Sequence, residues 1–485
     1  MSHTHSHASL TEAQRLWVLL GVGLGIFMST LDVGIINVAL PTLVKSLNTT
    51  FPTAQWAVLS YSLISSSLVL GATRLGDIHG KKPLYLTGLA LFTTGSLLCG
   101  LAPGISWLIA FRVLQGFGAV FISGLGFAII TEVFPSSERG RAVGIIGGVV
   151  SLGVALGPSI GGLLLAGVGW RSIFLVNVPL GLIASFLVLR LVPPSFKSAT
   201  PQRFDLIGAG LALVTLSSFA LGMTEGQRQS FSSAIAVKLL VTAAIALIGF
   251  LILESLLSQP LLELKLFRNL QLSVSLWCNW LVFMVLAGLL LVSPFFLEQV
   301  MRYPLVKVGL LLAIPSVVSG FISPLSGALS DQLGFRVIGL VGLIIMIGSC
   351  LAISTLTAQT TDWDYGWRYG MFGLGLGIFR SPNDSSVMGA VPRERLSIAS
   401  GLLSLSRTSG VTVGASILGA IFGAVSAHVA RGVDVSAAPV EAVIAGFQAS
   451  FQVAALILSS ALIALVLKFH QLKPDMGIGR TFWID

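Results

Sequence analysis

Charged side chains are scarce in this chain. Aspartate, glutamate, lysine and arginine make up 10% of its 485 residues, against about 25% in a soluble globular protein. Apolar residues account for 54% of the chain, and several apolar runs exceed the roughly 20 residues that cross a bilayer core. The shortage of charge excludes a water-soluble enzyme, and the composition predicts an all-α, polytopic membrane protein.

Cysteine is rare as well. Cys99, Cys278 and Cys350 lie far apart in apolar segments without CxxC spacing, which argues against a disulfide framework or a zinc site. The sequence has no HExxH metal-binding pair, and no connection between apolar runs is long enough for a catalytic domain. We therefore expect neither enzyme activity nor a metal or cofactor.

Apolar runs bounded by charges, prolines and glycine turns predict fourteen transmembrane helices. The connections between them are short, so that no soluble domain fits between two helices. The predicted helices are 16–40, 56–75, 84–102, 107–132, 143–165, 173–192, 206–223, 234–256, 270–297, 308–329, 337–356, 368–389, 398–427 and 443–467.

The lysines and arginines predict the orientation of these helices. An even number of helices puts both termini on the same side of the membrane. With the N-terminus in the cytoplasm, 17 of the 28 basic residues lie inside and eight outside, while Arg112, Arg380 and Arg407 lie within helices. Because cytoplasmic loops carry an excess of basic residues, we expect both termini in the cytoplasm. The same bias explains the net charge of +9 without a nucleic-acid partner.

One loop motif occurs twice. Residues 75–81 read LGDIHGK and residues 329–336 read LSDQLGFR, with eight predicted helices between the copies. A six-helix unit repeated once, with two helices inserted between the copies, explains this distance, and parallel repeats are a transporter architecture. The predicted organisation is a cytoplasmic tail at 1–14, an N-terminal six-helix bundle at 15–194, a linker with two inserted helices at 195–258, a C-terminal six-helix bundle at 259–468 and a cytoplasmic tail at 469–485.

Asp32 and Arg112 are the first candidates for chemistry inside the membrane, where charges are costly. Asp32 lies about 16 residues, or roughly 24 Å, from the cytoplasmic start of its helix, and Arg112 lies about five residues, or roughly 8 Å, from the outer start of its own. Both depths fall in the outer half of a core of about 30 Å, so the two side chains can meet. Burial favours a neutral carboxyl group and a nearby arginine favours a charged one, which suits a proton-coupling device. A structural ion pair between two helices is the alternative.

A second group lies in the predicted helices 368–389 and 398–427. Arg380 and Asp384 are four residues apart and therefore share a helix face, while Arg407 lies near mid-membrane and Asn383 supplies an amide. These residues predict a part in substrate binding or gating. An intrahelical ion pair between Arg380 and Asp384 near the cytoplasmic interface is the alternative.

Several segments together carry a family resemblance. Residues 153–162 read GVALGPSIGG, which resembles the antiporter motif of the major facilitator superfamily. Residues 112–119, RVLQGFGA, resemble its fourth-helix motif, whose arginine the family associates with proton transfer. LDVGIINVALP at 31–41 and WRSIFLVNVP at 170–179 are similar to the first- and sixth-helix signatures of the fourteen-helix drug:proton antiporter family. The motifs occur in the family's order over nearly the whole chain.

The repeated loop is similar to the superfamily's cytoplasmic gate motif but departs from it. Ile78 stands where the family has an arginine, and Gln332 takes that place in the second copy. Asp77 can still pair with Arg139 or Arg141 across the loop. The alternative is a plain glycine turn in which Asp77 caps a helix.

The resemblance implies a fold and a function. The fold is the major facilitator fold of two six-helix bundles, here with two inserted helices. The function is proton-coupled multidrug efflux, an antiport of small amphiphilic or drug-like molecules against protons across the bacterial plasma membrane by alternating access. The partners are the lipid bilayer, a small-molecule substrate and protons; the proton motive force takes the place of a cofactor, and we expect a monomer. A dedicated exporter of one endogenous lipid, siderophore or metabolite is the alternative.

The candidate site residues fall into four groups. They are Asp32 and Arg112 for proton coupling; Asn37, Gln115, Arg380, Asn383, Asp384 and Arg407 for the substrate cavity; Gly153, Gly157, Pro158, Gly161 and Gly162 for a bendable, closely packed fifth helix; and Asp77, Gly80, Lys81, Arg139, Arg141, Asp331, Gly334 and Arg336 for the cytoplasmic gate.

Overall fold

A computed structural model describes residues 11–134, 138–193, 205–257, 260, 262, 264–333, 335–391 and 396–471. These ranges contain helices and connections, with no strand. Fourteen helices within them have 15 residues or more. They are α1 (Glu12–Ser46), α2 (Trp56–His79), α3 (Lys81–Gly100), α4 (Ile105–Val133), α5 (Arg139–Gly167), α6 (Asn177–Leu191), α7 (Leu206–Arg228), α8 (Ala234–Leu256), α9 (Leu270–Phe295), α10 (Leu305–Leu333), α11 (Phe335–Ile353), α12 (Asp362–Gly389), α13 (Leu396–Val429) and α14 (Val440–Gln471).

Twelve membrane-spanning candidates, helices long and apolar enough to cross a bilayer, occur within the described residues. The helices α2 and α12 are not among the twelve: α12 carries five charged residues, and several side chains of α2 lie outside the described part. The prediction of an all-α membrane protein is confirmed. Fourteen crossings with both termini in the cytoplasm stay a prediction.

The helices pack in two sets of six with the same pattern. In the first set α1 packs against α5 and α6, and α4 against α2 and α3, while α3 also contacts α6. In the second set α9 packs against α13 and α14, and α12 against α10 and α11, while α11 also contacts α14. Every pair in the second set is thus eight helices along from its counterpart. The predicted domain boundaries stay predictions, since residues 194–204 of the linker lie outside the described ranges.

The helices α7 and α8 pack against each other between these two sets in the sequence. The helix α7 also contacts α2 from the first set and α13 from the second. The outer surface of α8 is apolar and exposed, with Ile245, Ile248 and Ile252 each more than half exposed. Such a surface suits contact with lipid.

The two sets contact each other mainly through two helix pairs, α5 with α10 and α2 with α13. These contacts close one end of the molecule. A Cβ atom on Gly162 would lie 2.4 Å from the Leu305 carbonyl oxygen, so α5 and α10 touch through their backbones. Gln55 Nε2 donates a 2.6 Å hydrogen bond to the Ala415 carbonyl. The Phe51 ring packs edge-on to Phe295 and Phe422, with centroids 4.9 and 5.4 Å away. This end carries the connections 47–55 and 430–439.

The helices α5 and α10 separate towards the opposite end. A Cβ atom on Gly148 or Gly320 would meet no atom within 4 Å. Phe321 and Leu325 on α10 are 77% and 68% exposed. Among the described residues, the two sets are thus in contact at one end, and α5 and α10 separate towards the end that carries both copies of the loop motif.

Candidate functional site

An ion pair between α1 and α4 lies in the interior of the first set. Arg112 Nη1 lies 2.5 Å from Asp32 Oδ2, and the side chains are 0% and 2% exposed. The helices α1 and α4 run in opposite directions, which brings residues at different distances from their starts to one depth. The predicted contact between Asp32 and Arg112 is present, and its role in proton coupling stays a prediction.

A network of polar groups surrounds this pair. Asp32 Oδ1 accepts hydrogen bonds from Gln115 Nε2 at 2.9 Å and Asn177 Nδ2 at 3.2 Å. Arg112 donates through Nε to the Ala57 carbonyl at 2.7 Å and through Nη1 to Gln115 Oε1 at 2.7 Å, and its guanidinium lies 4.4 Å from the centroid of the Tyr61 ring. The network therefore connects α1 with α2, α4 and α6.

The network encloses Asp32 in a site with almost no exposure to solvent. Two amides and the cation Arg112, which donate three hydrogen bonds in all, offset the cost of burying the carboxylate. Arg112 Nη2 and Asn177 Oδ1 are buried and have no hydrogen-bond partner among the described residues. The three donors to Asp32 come from α4 and α6, so this side chain joins α1 to both helices.

The antiporter-like segment of α5 packs tightly on two partners. The Cα of Gly157 lies 2.9 Å from a Cβ built on Gly34 of α1, and a Cβ on Gly153 would be 2.0 Å from Thr30 Oγ1. Gly162 faces α10 instead, as described above, while α5 continues unbroken through Pro158. The glycines thus allow close contact of α5 with α1 and, at the closed end, with the other six-helix set.

The second charged group lies in the other set, on α12 and α13. Arg407 is in contact with Asp384, and the two side chains are 25% and 31% exposed. The direct ion pair of Asp384 is thus with Arg407 on α13, while Arg380, four residues from Asp384 on the same helix, is attracted by it only at longer range. Arg380 instead lines a cavity between the two sets, together with Val154, Leu286, Ser316, Ser319, Gly320, Ser323 and Leu376.

The other predicted cavity residues do not gather around Arg380. Gln115 belongs to the Asp32 network, and Asn37 donates to the Val33 carbonyl of its own helix at 2.7 Å. Asn383 is fully buried, and neither of its amide atoms has a partner within the described part of the chain. Of the six residues predicted to line one cavity, Asn37 and Gln115 therefore lie elsewhere, while Asp384 and Arg407 are in contact with each other.

The predicted cytoplasmic gate is described only in part. Gly80 joins α2 to α3 with a φ of 96°, a left-handed conformation that favours glycine. Lys81 Nζ lies 2.9 Å from Glu132 Oε2, and Arg336 lies in the first turn of α11. Gly334 and the side chains of Asp77, Arg139, Arg141 and Asp331 lie outside the described residues. The gate therefore stays a prediction.

Asn177, Ser96 and Tyr61 belong to the Asp32 network but were not predicted as site residues. Ser96 accepts a hydrogen bond from Gln115 at 2.8 Å. Asn177 lies in the segment similar to the sixth-helix signature, a signal that could have indicated it. Nothing in the sequence around Ser96 or Tyr61 distinguishes them from neighbouring serines and aromatic residues.

Two six-helix sets that pack in the same pattern, with a cavity between them, are the arrangement of a membrane transporter. Residues 22–415 match the sequence model of the Major Facilitator Superfamily, and the chain belongs to this family. It is embedded in the lipid bilayer as a multi-pass protein and acts on a small-molecule substrate, not as an enzyme.

Relatives are found in several bacteria. The chain is 36% identical over 412 residues to the multidrug resistance protein Stp of Mycobacterium tuberculosis, covering 84% of this chain and 76% of that protein. It is 31% identical over 410 residues to the riboflavin transporter RibZ of Clostridioides difficile, covering 84% and 88%. These relatives support a transport function.

A solved structure shares the fold. It is the inward-facing, unoccupied form of a bacterial homologue of the human lysosomal transporter Spinster, with a TM-score of 0.69, 18% identity, and 94% of this chain and 97% of that one covered. At this identity the likeness shows the fold alone.

Proposed function

We propose that this protein exports small amphiphilic or drug-like molecules across the plasma membrane in exchange for protons, by alternating access. The buried Asp32–Arg112 pair carries the proposal, since an ionisable pair kept inside the membrane is by default a functional site. The similarity to a multidrug resistance protein supports the choice of substrates.

Asp32 is the group that takes up the proton. When it is charged, it holds Arg112, Gln115 and Asn177 and so joins α1 to α4 and α6. When it is protonated, the ionic part of these bonds is lost and Arg112 keeps its bond to the Ala57 carbonyl at the start of α2. Because one set of bonds weakens while the other is kept, the packing of α1, α2 and α4 changes. This change links proton uptake to the movement of the first bundle.

The direction of transport follows from the proposed topology. We infer fourteen crossings with both termini in the cytoplasm, as in the fourteen-helix drug:proton antiporter family. The open end then faces the cytoplasm and admits substrate, while the contact of Gly162 with α10 closes the outer end. The proton motive force drives the cycle without a cofactor, and the unit is a monomer.

The test is substrate-driven proton movement in proteoliposomes. A chemically diverse library first identifies compounds whose efflux depends on a proton gradient. Asp32→Asn is then expected to abolish proton movement on addition of such a compound, since an amide cannot take up the proton. Asp205→Asn is a matched control, because Asp205 caps α7 and asparagine caps a helix equally well. Full proton movement in the Asp32→Asn protein would contradict the proposal.

A dedicated exporter of one endogenous compound is the second candidate. The similarity to a riboflavin transporter favours it, because that relative is named for a single metabolite. Growth of an efflux-deficient bacterial host with and without this gene on a panel of toxic compounds separates the two. Resistance to several unrelated compounds supports the multidrug exporter, and resistance to none supports the dedicated one.

A further inference from the structure

The five charges placed well inside the predicted helices do not balance. Asp32 pairs with Arg112, and Asp384 pairs with Arg407. Arg380 has no ion pair or hydrogen bond to any residue that the structure describes. Among these five charges, Arg380 is thus the one without a direct ion pair in the described part of the chain, and Asp384 attracts it only at longer range.

The cavity beside Arg380 combines a polar side with apolar surface. Ser316, Ser319 and Ser323 lie three and four residues apart and so face the cavity from one side of α10. Val154, Leu286 and Leu376 provide apolar surface from α5, α9 and α12. All these residues surround Arg380 without a carboxylate among them.

On the α10 side, the cavity beside Arg380 has free space and polar groups. A Cβ atom on Gly320 would touch nothing within 4 Å, so the α10 wall leaves room. Ser323 Oγ donates to the Ser319 carbonyl at 2.8 Å, which leaves its lone pairs available as acceptors, and no carboxylate is among the residues that line the cavity. A bound carboxylate would supply the direct ion pair that Arg380 lacks among the described residues.

We propose that Arg380 binds a carboxylate group on the transported molecule, and that the substrates of this protein include amphiphilic organic acids. The inference rests on the proposed function in taking this cavity as the transport site. Arginine suits the role because its planar guanidinium can form two parallel hydrogen bonds with a carboxylate. The apolar body of the acid then lies along Val154, Leu286 and Leu376.

The experiment compares an acid with its neutral amide on the purified full-length protein. The probes are 1-pyrenebutyrate and 1-pyrenebutanamide, with 1-naphthaleneacetate and 1-naphthaleneacetamide as a smaller pair, and binding is followed by fluorescence in nanodiscs. In the unmodified protein we expect at least one acid to bind about tenfold more tightly than its amide, as for a charge-assisted hydrogen bond. This first comparison does not depend on any variant's folding.

The variants assign the preference to Arg380. Arg380→Gln is expected to lower acid affinity about tenfold, to the level of the amide, while Arg380→Lys keeps most of the preference. Gly320→Leu fills the cavity and lowers the affinity of acid and amide alike. Arg268→Gln is the matched control, because Arg268 is exposed in a short connection before α9 and its loss leaves both affinities unchanged.

Two results would overturn the inference: equal affinity for acid and amide in the unmodified protein, or an acid preference that survives Arg380→Gln. The Asp32→Asn protein separates it from the proposed function. If proton exchange is intact in that variant, the proton-coupling proposal fails, whereas an acid preference that depends on Arg380 still supports the present inference.

Discussion

The Asp32–Arg112 and Asp384–Arg407 pairs each join a carboxylate to a guanidinium, one in each six-helix set, but their surroundings differ. The first pair is almost without exposure and is held by Gln115 and Asn177. The second is about a quarter to a third exposed, and Asp384 Oδ1 lacks a hydrogen-bond partner among the described residues. The first arrangement fixes a geometry, whereas the second leaves groups near the cavity free to rearrange.

Removing the arginine of the buried pair should have the largest effect. Arg112→Ala leaves the Asp32 carboxylate buried without its cation, which typically costs about 3–5 kcal/mol. Thermal unfolding of the purified protein, followed by intrinsic fluorescence, measures the loss. The double variant with Asp32→Asn and Arg112→Gln should recover part of it, because no charge is then left unpaired. If Arg112→Ala melts at the same temperature as the unmodified protein, the proposed difference between the buried and the partly exposed ion pair is contradicted.

The amide that supports the buried pair should have the next largest effect. Asn177→Ala removes a hydrogen bond to a charged acceptor and should cost about 1.5–3 kcal/mol. Asn279→Ala is the matched variant in the other set: Asn279 is equally buried and donates to the neutral Ser406 hydroxyl at 2.6 Å, so its loss should cost about 1 kcal/mol. Thermal melts of the two variants side by side test the order, and a larger effect for Asn279→Ala would reverse it.

The partly exposed pair should matter less for stability. Arg407→Gln should cost about 0.5–1 kcal/mol, because solvent screens the charges and can replace the lost bond. The same melting experiment applies, with Asp384→Asn expected to give a similar shift. If Arg407→Gln destabilises the protein as much as Arg112→Ala, the two pairs do not differ in the way proposed.

Arg380→Gln should have the smallest effect on stability. It removes a charge that has no ion pair in the described part of the molecule. The free energy of unfolding should therefore stay the same or rise by less than about 0.5 kcal/mol, and the melting midpoint should change accordingly. A large loss of stability would show that Arg380, like Arg112, stabilises the fold through a partner within the protein.

The contact between Asp32 and Arg112 could be predicted because helix direction and rise per residue determine depth in a membrane. The partner of Asp384 could not, because spacing along one helix favours Arg380 while the packing of α12 on α13 favours Arg407. The contribution of Asn177 depends on where α6 lies relative to α1, which no local pattern reports.

The helix termini show a similar limit. The proline at 41 predicts an end for the first helix, yet α1 continues through Pro41 to Ser46, because a proline removes one backbone bond and tertiary packing can offset that loss. The twofold pattern of helix packing was easier to predict, since it depends on counting helices between two copies of one loop motif.

The position of α7 makes the two lateral seams of the transporter unequal. This helix lies against both α2 and α13, where the two sets adjoin, while α5 and α10 meet on the other side with no comparable helix packed across them in the described residues. A molecule dissolved in the membrane therefore meets the junction of α2 and α13 covered by α7, and the junction of α5 and α10 without such a cover in the described residues. Among the described residues, the inserted helices thus shield one junction between the two sets from lipid and leave the other junction facing it.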